Sequence, residues 1–200
     1  MRTPKGISKL VDILSALPGV GPRQAVRLAF HLIRQGKGAQ KELEDAVHEL
    51  QDIAICPQCF YIHEGNSPLC EICSDSNRNH SYIAIVEKET DLISLENTGK
   101  FEGRYLVLGE LGRGGTLGPD QKLKLKSLST WINKELGGKA DEIIIALNPN
   151  PQGDFIATQI SKEIGSLAHK VTRLGVGIPS GGEIEFADES TLGSALDKRN

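Results

Sequence analysis

Cysteine is missing from 182 of the 200 residues, and no apolar stretch approaches the ~20 residues that cross a bilayer. The second absence excludes a chain of membrane-spanning helices. The first excludes a disulfide framework spread through the fold. No internal repeat or low-complexity tract occurs either, so a repeat array is not expected. The start, Met1-Arg2-Thr3-Pro4-Lys5, is basic, but Lys9 and Asp12 interrupt the apolar residues after it, and no secretory signal is expected. Hydrophobic residues at 38% and charged residues at 24% describe a soluble, globular chain of one or two domains.

The four cysteines all fall within residues 56–73, as Cys56-Pro-Gln-Cys59 and Cys70-Glu-Ile-Cys73. Two such knuckles can each turn a pair of sulfurs toward one point and wrap a Zn²⁺ tetrahedrally. Two disulfides, a redox dithiol or free buried thiols are the alternatives. A redox pair is expected singly, at the start of a helix in a βαβ unit, and not twice in a turn-rich stretch. Four protein ligands leave no place for water, so the expected zinc is structural: it staples a segment too short to bury its own core. His63 lies between the pairs as a spare ligand. Clustered, metal-spaced cysteines point to a reducing cytoplasm.

The net charge of −3 conceals an asymmetry. Residues 1–40 hold Arg2, Lys5, Lys9, Arg23, Arg27, Arg34 and Lys37 against Asp12 alone, a local +6 that leaves −9 on the other 160 residues. A polyanion would be met by this head, although a solvated cationic helix face has the same composition. Ile7, Leu10, Val11, Leu14 and Leu17 follow helical spacing, and Pro18-Gly19 ends that helix. Pro22 suits the first turn of a second helix, reaching about Ile33. A third is expected from Gln40 to Ile53. Between the first two, Leu17-Pro18-Gly19-Val20-Gly21-Pro22-Arg23 forms a tight Gly-x-Gly turn. Gly19 and Gly21 let a backbone approach a ligand, the next helix starts with unpaired N–H groups, and Arg23 and Arg27 share a face. This reads as a helix-hairpin-helix that grips DNA phosphates without regard to sequence. The plainer reading is an αα-hairpin whose glycines serve only the turn.

From residue 81 the texture changes. Tyr82–Val86, Tyr105–Leu108, Ile143–Leu147 and Lys170–Leu174 read as strands alternating with helices, which argues a buried parallel sheet. Thr90 is the expected cap of the first of those helices, and Ser74–Asn79 reads as a polar linker. Ligands of such sheets sit at the carboxyl ends of the strands. Here those ends offer Glu87 after the first strand and Asn148-Pro149-Asn150-Pro151-Gln152-Gly153-Asp154 after the third. The layout resembles a Toprim domain, found in topoisomerases, primases and some nucleases, whose active members hold Mg²⁺ with a glutamate and an Asp-x-Asp at these places. Asn148 and Asn150 occupy the Asp-x-Asp positions, and neutral amides cannot supply the charge that Mg²⁺ requires for phosphoryl transfer. Catalysis and a firm Mg²⁺ site are therefore not expected. Gly109–Pro119 lacks the Gly-Lys-Ser/Thr ending of a P-loop and reads as a flexible connection. The Gly-rich tail contains one strand-like piece, Glu183–Phe186.

The order of parts, with Gly177-Ile178-Pro179-Ser180-Gly181-Gly182-Glu183 in the tail, is similar to that of the bacterial RecR family of recombination mediators, along essentially the whole chain. The resemblance implies four parts: a helix-hairpin-helix region (1–55), a four-Cys zinc segment with linker (56–79), a Toprim-type α/β parallel sheet (80–175) and a short Walker-B-like tail for subunit packing (176–200). It implies a non-catalytic DNA-repair protein that forms homo-oligomeric rings on DNA. With RecO, and in many bacteria RecF, such proteins load RecA onto gapped DNA. Zinc would be held by Cys56, Cys59, Cys70 and Cys73, DNA by Gly19, Gly21, Arg23 and Arg27, and partner contact would use Glu87, Asn148, Gln152 and Asp154. Two departures stand out: Gln152 where the family usually has Glu, and Arg113-Gly114-Gly115 in a loop that usually contains Ser-Pro. The competing class is a Mg²⁺-dependent Toprim nuclease or primase-like enzyme.

Overall fold

A computed structural model describes residues 3–112, 115–197 and 199, and the chain divides into two compact units, Met1–Ile53 and Ala54–Asn200. The first unit is helical: α1 (Lys5–Ser15), α2 (Pro22–Gln35) and α3 (Lys37–Glu49), closed by a 3₁₀ turn at Leu50–Asp52. Ala25 and Ala29, four apart on α2, are its buried residues, and their small side chains let α1 pack closely on α2. Most other apolar side chains of the unit are exposed, among them Val26, Phe30, Ile33, Leu43 and Val47. The third helix begins three residues before the expected Gln40, because Gly36 (φ +87°) turns the chain straight from α2 into α3. It ends at Glu49 rather than Ile53, since Ile53 already belongs to a strand.

That strand, β1 (Ile53–Ile55), pairs with β2 (Ile62–Glu64), and a single helical turn, α4 (Glu71–Ser74), follows. Neither short strand was expected. Three residues with half-exposed apolar side chains give no usable period of two.

The main sheet has four parallel strands in the order β4-β3-β5-β6: β3 (Tyr82–Val86), β4 (Arg104–Val107), β5 (Ala140–Ala146) and β6 (Ala168–Arg173). Between them lie α5 (Glu89–Glu96), α6 (Pro119–Glu135) and α7 (Pro151–Ile164). Alternation sorts the core. Ile83, Ile85, Leu106, Ile143 and Ile145 point to one face, under Leu125, Leu128 and Ile132 of α6 and Ile156, Ile160 and Ile164 of α7. Ala84, Val86, Tyr105, Val107 and Ala146 point to the other, covered by Leu92 and Leu95 of α5 and by Tyr61 and Ile72 of the cysteine segment. The Toprim-type parallel sheet expected from sequence is thus present.

Two local expectations are corrected. Thr90 does not cap α5: the cap is Lys88, whose N–H donates to Asp91 Oδ2 at 3.0 Å, while the Thr90 carbonyl accepts from Ser94. Glu183–Phe186 pairs with no strand among the described residues; Ile184–Phe186 form a 3₁₀ turn before α8 (Glu189–Asp197), and Asp188 accepts from the Thr191 N–H at the start of that helix. The polar segment Ser74–Asn79 is anchored to the sheet. Arg78 donates to the carbonyls of Gly103 (2.8 Å) and Phe101 (3.0 Å) and to both Glu96 oxygens, and the Asn79 N–H donates to Glu102.

Candidate functional site

Three sites emerge from this fold. In the first unit, α1 ends at Ser15 and the chain turns through Gly19, whose φ of +78° favours glycine. The Val20 N–H closes the turn on the Leu17 carbonyl at 3.1 Å. Gly21 then takes the N-cap position of α2 with an ordinary φ of −75°, and Pro22 follows at the first helical position. No side chain caps α2, so the amides of its first turn stay open to an outside acceptor. A Cβ added at Gly19 or Gly21 would meet nothing within 4 Å, so both glycines face open space. Arg23, Arg27, Arg34 and Lys9 are exposed, and none is in a salt bridge among the described residues. The turn, the uncapped helix start and the free cations are properties of an anion site.

The second site is the cysteine cluster. The Sγ atoms of Cys56, Cys59, Cys70 and Cys73 lie within 4.8 Å of one another, and all four residues are buried and unbridged. Cys59 and Cys70 lie 3.4 Å apart, a contact that joins the two knuckles and is far beyond a disulfide bond. In the first knuckle the Phe60 N–H donates to the Cys56 carbonyl (2.9 Å) and the Cys56 N–H to Tyr61 (2.8 Å), with Phe60 at φ +62° completing the turn. The second knuckle places Cys70 at the cap of α4 and Cys73 inside it. Thiols this close do not ionise independently: donation from Cys59 holds Cys56 well below the usual thiol range, and the same pair pushes Cys59 well above it. Four thiolates can coexist here only around a cation. The donor set fits a structural metal site; His63, on β2, is outside it.

The knuckles are built into the sheet unit. β4 is an edge strand, and its Val107 N–H donates to the Cys59 carbonyl at 2.8 Å. Arg104, at the start of β4, donates from Nη2 to the carbonyl of Gln58 (3.1 Å), inside the first knuckle, and its guanidinium stacks 3.6 Å above the ring of Trp131 on α6. Arg104 has no signature in the sequence, because a single arginine at the start of an apolar run carries no pattern.

The third site lies where the strand order reverses, between β3 and β5. Glu87 and Asn148 meet there, with Asn148 Nδ2 3.4 Å from Glu87 Oε2. Asn150 caps α7 by accepting from the Gly153 N–H at 2.8 Å. Gly153 is forced: a Cβ there would overlap the Asn148 carbonyl oxygen. Asp154 is paired with Arg173 of β6 at 2.6 Å. Of the four residues expected to form one surface, Glu87 and Asn148 touch, while Asp154 turns to Arg173 and Gln152 donates to the Gly112 carbonyl at 3.0 Å. A glutamate at position 152 could not make that last bond when ionised. In the neighbouring loop, Arg113 and Gly114 lie outside the described residues; Gln159 and Gln121 hold the carbonyls of Gly115 and Glu110.

Family models match three segments: "RecR, helix-hairpin-helix" at residues 7–50, "Toprim domain" at 81–175 and "RecR, C-terminal" at 177–200. Proteins described as recombination protein RecR are similar throughout. That of Paenarthrobacter aurescens is 40% identical over 96% of this chain and 95% of its own length. The chain belongs to the RecR family. The RecR of Frankia alni is 38% identical over the same shares, and that of Myxococcus xanthus 36% identical over 98% of both chains. RecR membership carries a role in DNA recombination and repair for this fold of hairpin, four-cysteine cluster and Toprim sheet.

Proposed function

We propose that the chain is a non-catalytic recombination mediator: a sequence-independent DNA-binding protein that works as a homo-oligomeric clamp, with RecO- and RecF-type partners, to promote RecA loading on gapped DNA. The observation that carries this reading is the uncapped start of α2, with Gly19 and Gly21 open to solvent and the unpaired Arg23 and Arg27 beside it. Phosphate oxygens would accept from the first-turn amides, while the two guanidiniums neutralise charge; bases would not be read. A zinc ion held by Cys56, Cys59, Cys70 and Cys73 would supply fold energy only, since no ligand position is left for water.

The surviving Toprim carboxylates support a binding role over phosphoryl transfer. Glu87 faces the amide of Asn148, Asn150 is occupied as a helix cap, and Asp154 is neutralised by Arg173. A Mg²⁺ entering there would meet two neutral amides and a competing cation. Glu87, Asn148, Gln152 and Asp154 are read instead as part of the face presented to protein partners.

Charge reversal at Arg23 and Arg27 together tests the DNA interface. Binding to duplex and gapped DNA should weaken for every sequence. The slope of log K against log salt should flatten by roughly one unit for each phosphate that is no longer neutralised. Unchanged affinity and slope would remove the hairpin from the DNA interface. Incubation with Mg²⁺ or Mn²⁺ and varied DNA should leave the DNA intact; cleavage abolished by Glu87→Ala would favour the nuclease reading.

A further inference from the structure

Arg104 is 1% exposed, and two of its three guanidinium nitrogens, Nε and Nη1, have no hydrogen-bond partner. No carboxylate pairs with it among the described residues. Its third nitrogen holds the Gln58 carbonyl between Cys56 and Cys59, and its plane lies on Trp131. A buried guanidinium left this way is costly, because each unpaired charged donor forfeits its hydration. Burial lowers the pKa of Arg104, while all four nearby cysteine sulfurs pull it up again; an arginine in this position stays charged.

The cysteine cluster has the opposite deficit. A divalent metal bound by four thiolates carries a net charge of −2, and here that charge would be sealed among residues 0–5% exposed. Two uncompensated charges of opposite sign thus lie side by side, joined through the Gln58 carbonyl that Arg104 holds inside the first knuckle.

We propose that Arg104 is the counter-charge of the four-cysteine metal site, a positioning residue that strengthens metal retention and ties the loaded site to α6 through Trp131. This rests on the metal reading of the cluster. It makes metal and sheet interdependent. Loss of the metal leaves a buried cation unanswered on β4, and loss of the cation leaves a buried dianion unanswered in the knuckles. The aromatic stack explains how the guanidinium tolerates its position: the ring face attracts its charge, and the planar fork aims its remaining donors away from the ring.

Full-length protein, Arg104→Met and Arg104→Lys are compared for zinc content and for zinc affinity by competition with a chromophoric chelator. Wild-type protein should carry one Zn²⁺ per chain. Arg104→Met should bind zinc about 10–100-fold more weakly, the range typical when a group supporting metal ligands is lost. Arg104→Lys should recover part of that affinity because it restores the charge. Trp131 is the only tryptophan, so stripping zinc from the wild type should shift its emission, and that readout does not depend on either variant folding. Wild-type protein without zinc would overturn the metal reading and this inference with it. Zinc-loaded wild type with unchanged affinity in Arg104→Met, with Arg104→Lys as impaired as Arg104→Met, or with Trp131 emission indifferent to zinc would overturn the counter-charge role alone.

Discussion

At the scale of residues, Glu96 shows how a partly buried charge is held by partners from distant parts of the chain. It accepts from Arg78 at 2.5 and 2.9 Å and from the buried Tyr105 hydroxyl at 2.8 Å, so α5, the segment after the cysteines and β4 meet on one carboxylate. Arg78, beside it, holds the Glu96 carboxyl below its ordinary value of 4.5, with Tyr105 adding to the effect. The folded value lies below the unfolded one. This contribution to stability is therefore complete above about pH 4.5 and is lost as the pH falls through the lower, folded-state value. Glu96 is partly open to solvent, which screens the pair. Glu96→Gln should cost about 1–2 kcal/mol at pH 7 and nothing in strong acid. Urea melts at pH 7 and pH 3 test this; an equal loss at both would mean that the carboxylate's charge does not matter.

At the scale of elements, the two glycines of the hairpin have different jobs, and the difference can be measured. Gly19 sits in the left-handed region at φ +78°, so Gly19→Ala should destabilise the first unit by about 1–2 kcal/mol. Gly21 is at φ −75° with open space where its Cβ would be, so Gly21→Ala should cost about 1 kcal/mol or less. If a phosphate approaches that space, Gly21→Ala will weaken DNA binding while leaving the melting curve nearly unchanged. Loss of stability without loss of binding would make Gly21 a turn residue only. The hairpin was legible because proline, glycine and helical periodicity act locally. The four strands of the main sheet were legible as short apolar runs alternating with helical patterns, and the cysteine site was legible from its spacing. What escaped depended on contacts made only after folding: the β1–β2 pair, the anchoring of Ser74–Asn79 through Arg78, and the stacking of Arg104 on Trp131. The tail misled because Glu183–Phe186 has strand composition but pairs with no strand among the described residues and closes into a 3₁₀ turn.

At the scale of the whole molecule, the first unit poses a problem of surface. Its core is little more than Ala25 and Ala29, while Ile33, Leu43, Val47 and Phe30 are 42–57% exposed in the single chain. Pro4, Ile7, Leu10, Leu32, Leu43 and Val47 line an apolar groove of about 570 Å³ between its helices. Apolar area of this kind is rarely left to water, and the proposed clamp provides a cover for it: a second copy of the chain. The same association would solve the weakness of one hairpin on DNA. A site built from a few amides and two arginines binds loosely, but several of them held on one ring can gain roughly 10²–10⁴ in apparent affinity. Light scattering should therefore give a mass that is a multiple of the 21.6 kDa chain. Leu43→Gln with Val47→Gln changes no charge and touches only exposed side chains, so the fold and the hairpin should survive. The double variant should dissociate toward monomer and lose DNA affinity by about two to four orders of magnitude. A monomeric variant that binds DNA as tightly as the wild type would show that one hairpin suffices, and the clamp would have to be abandoned.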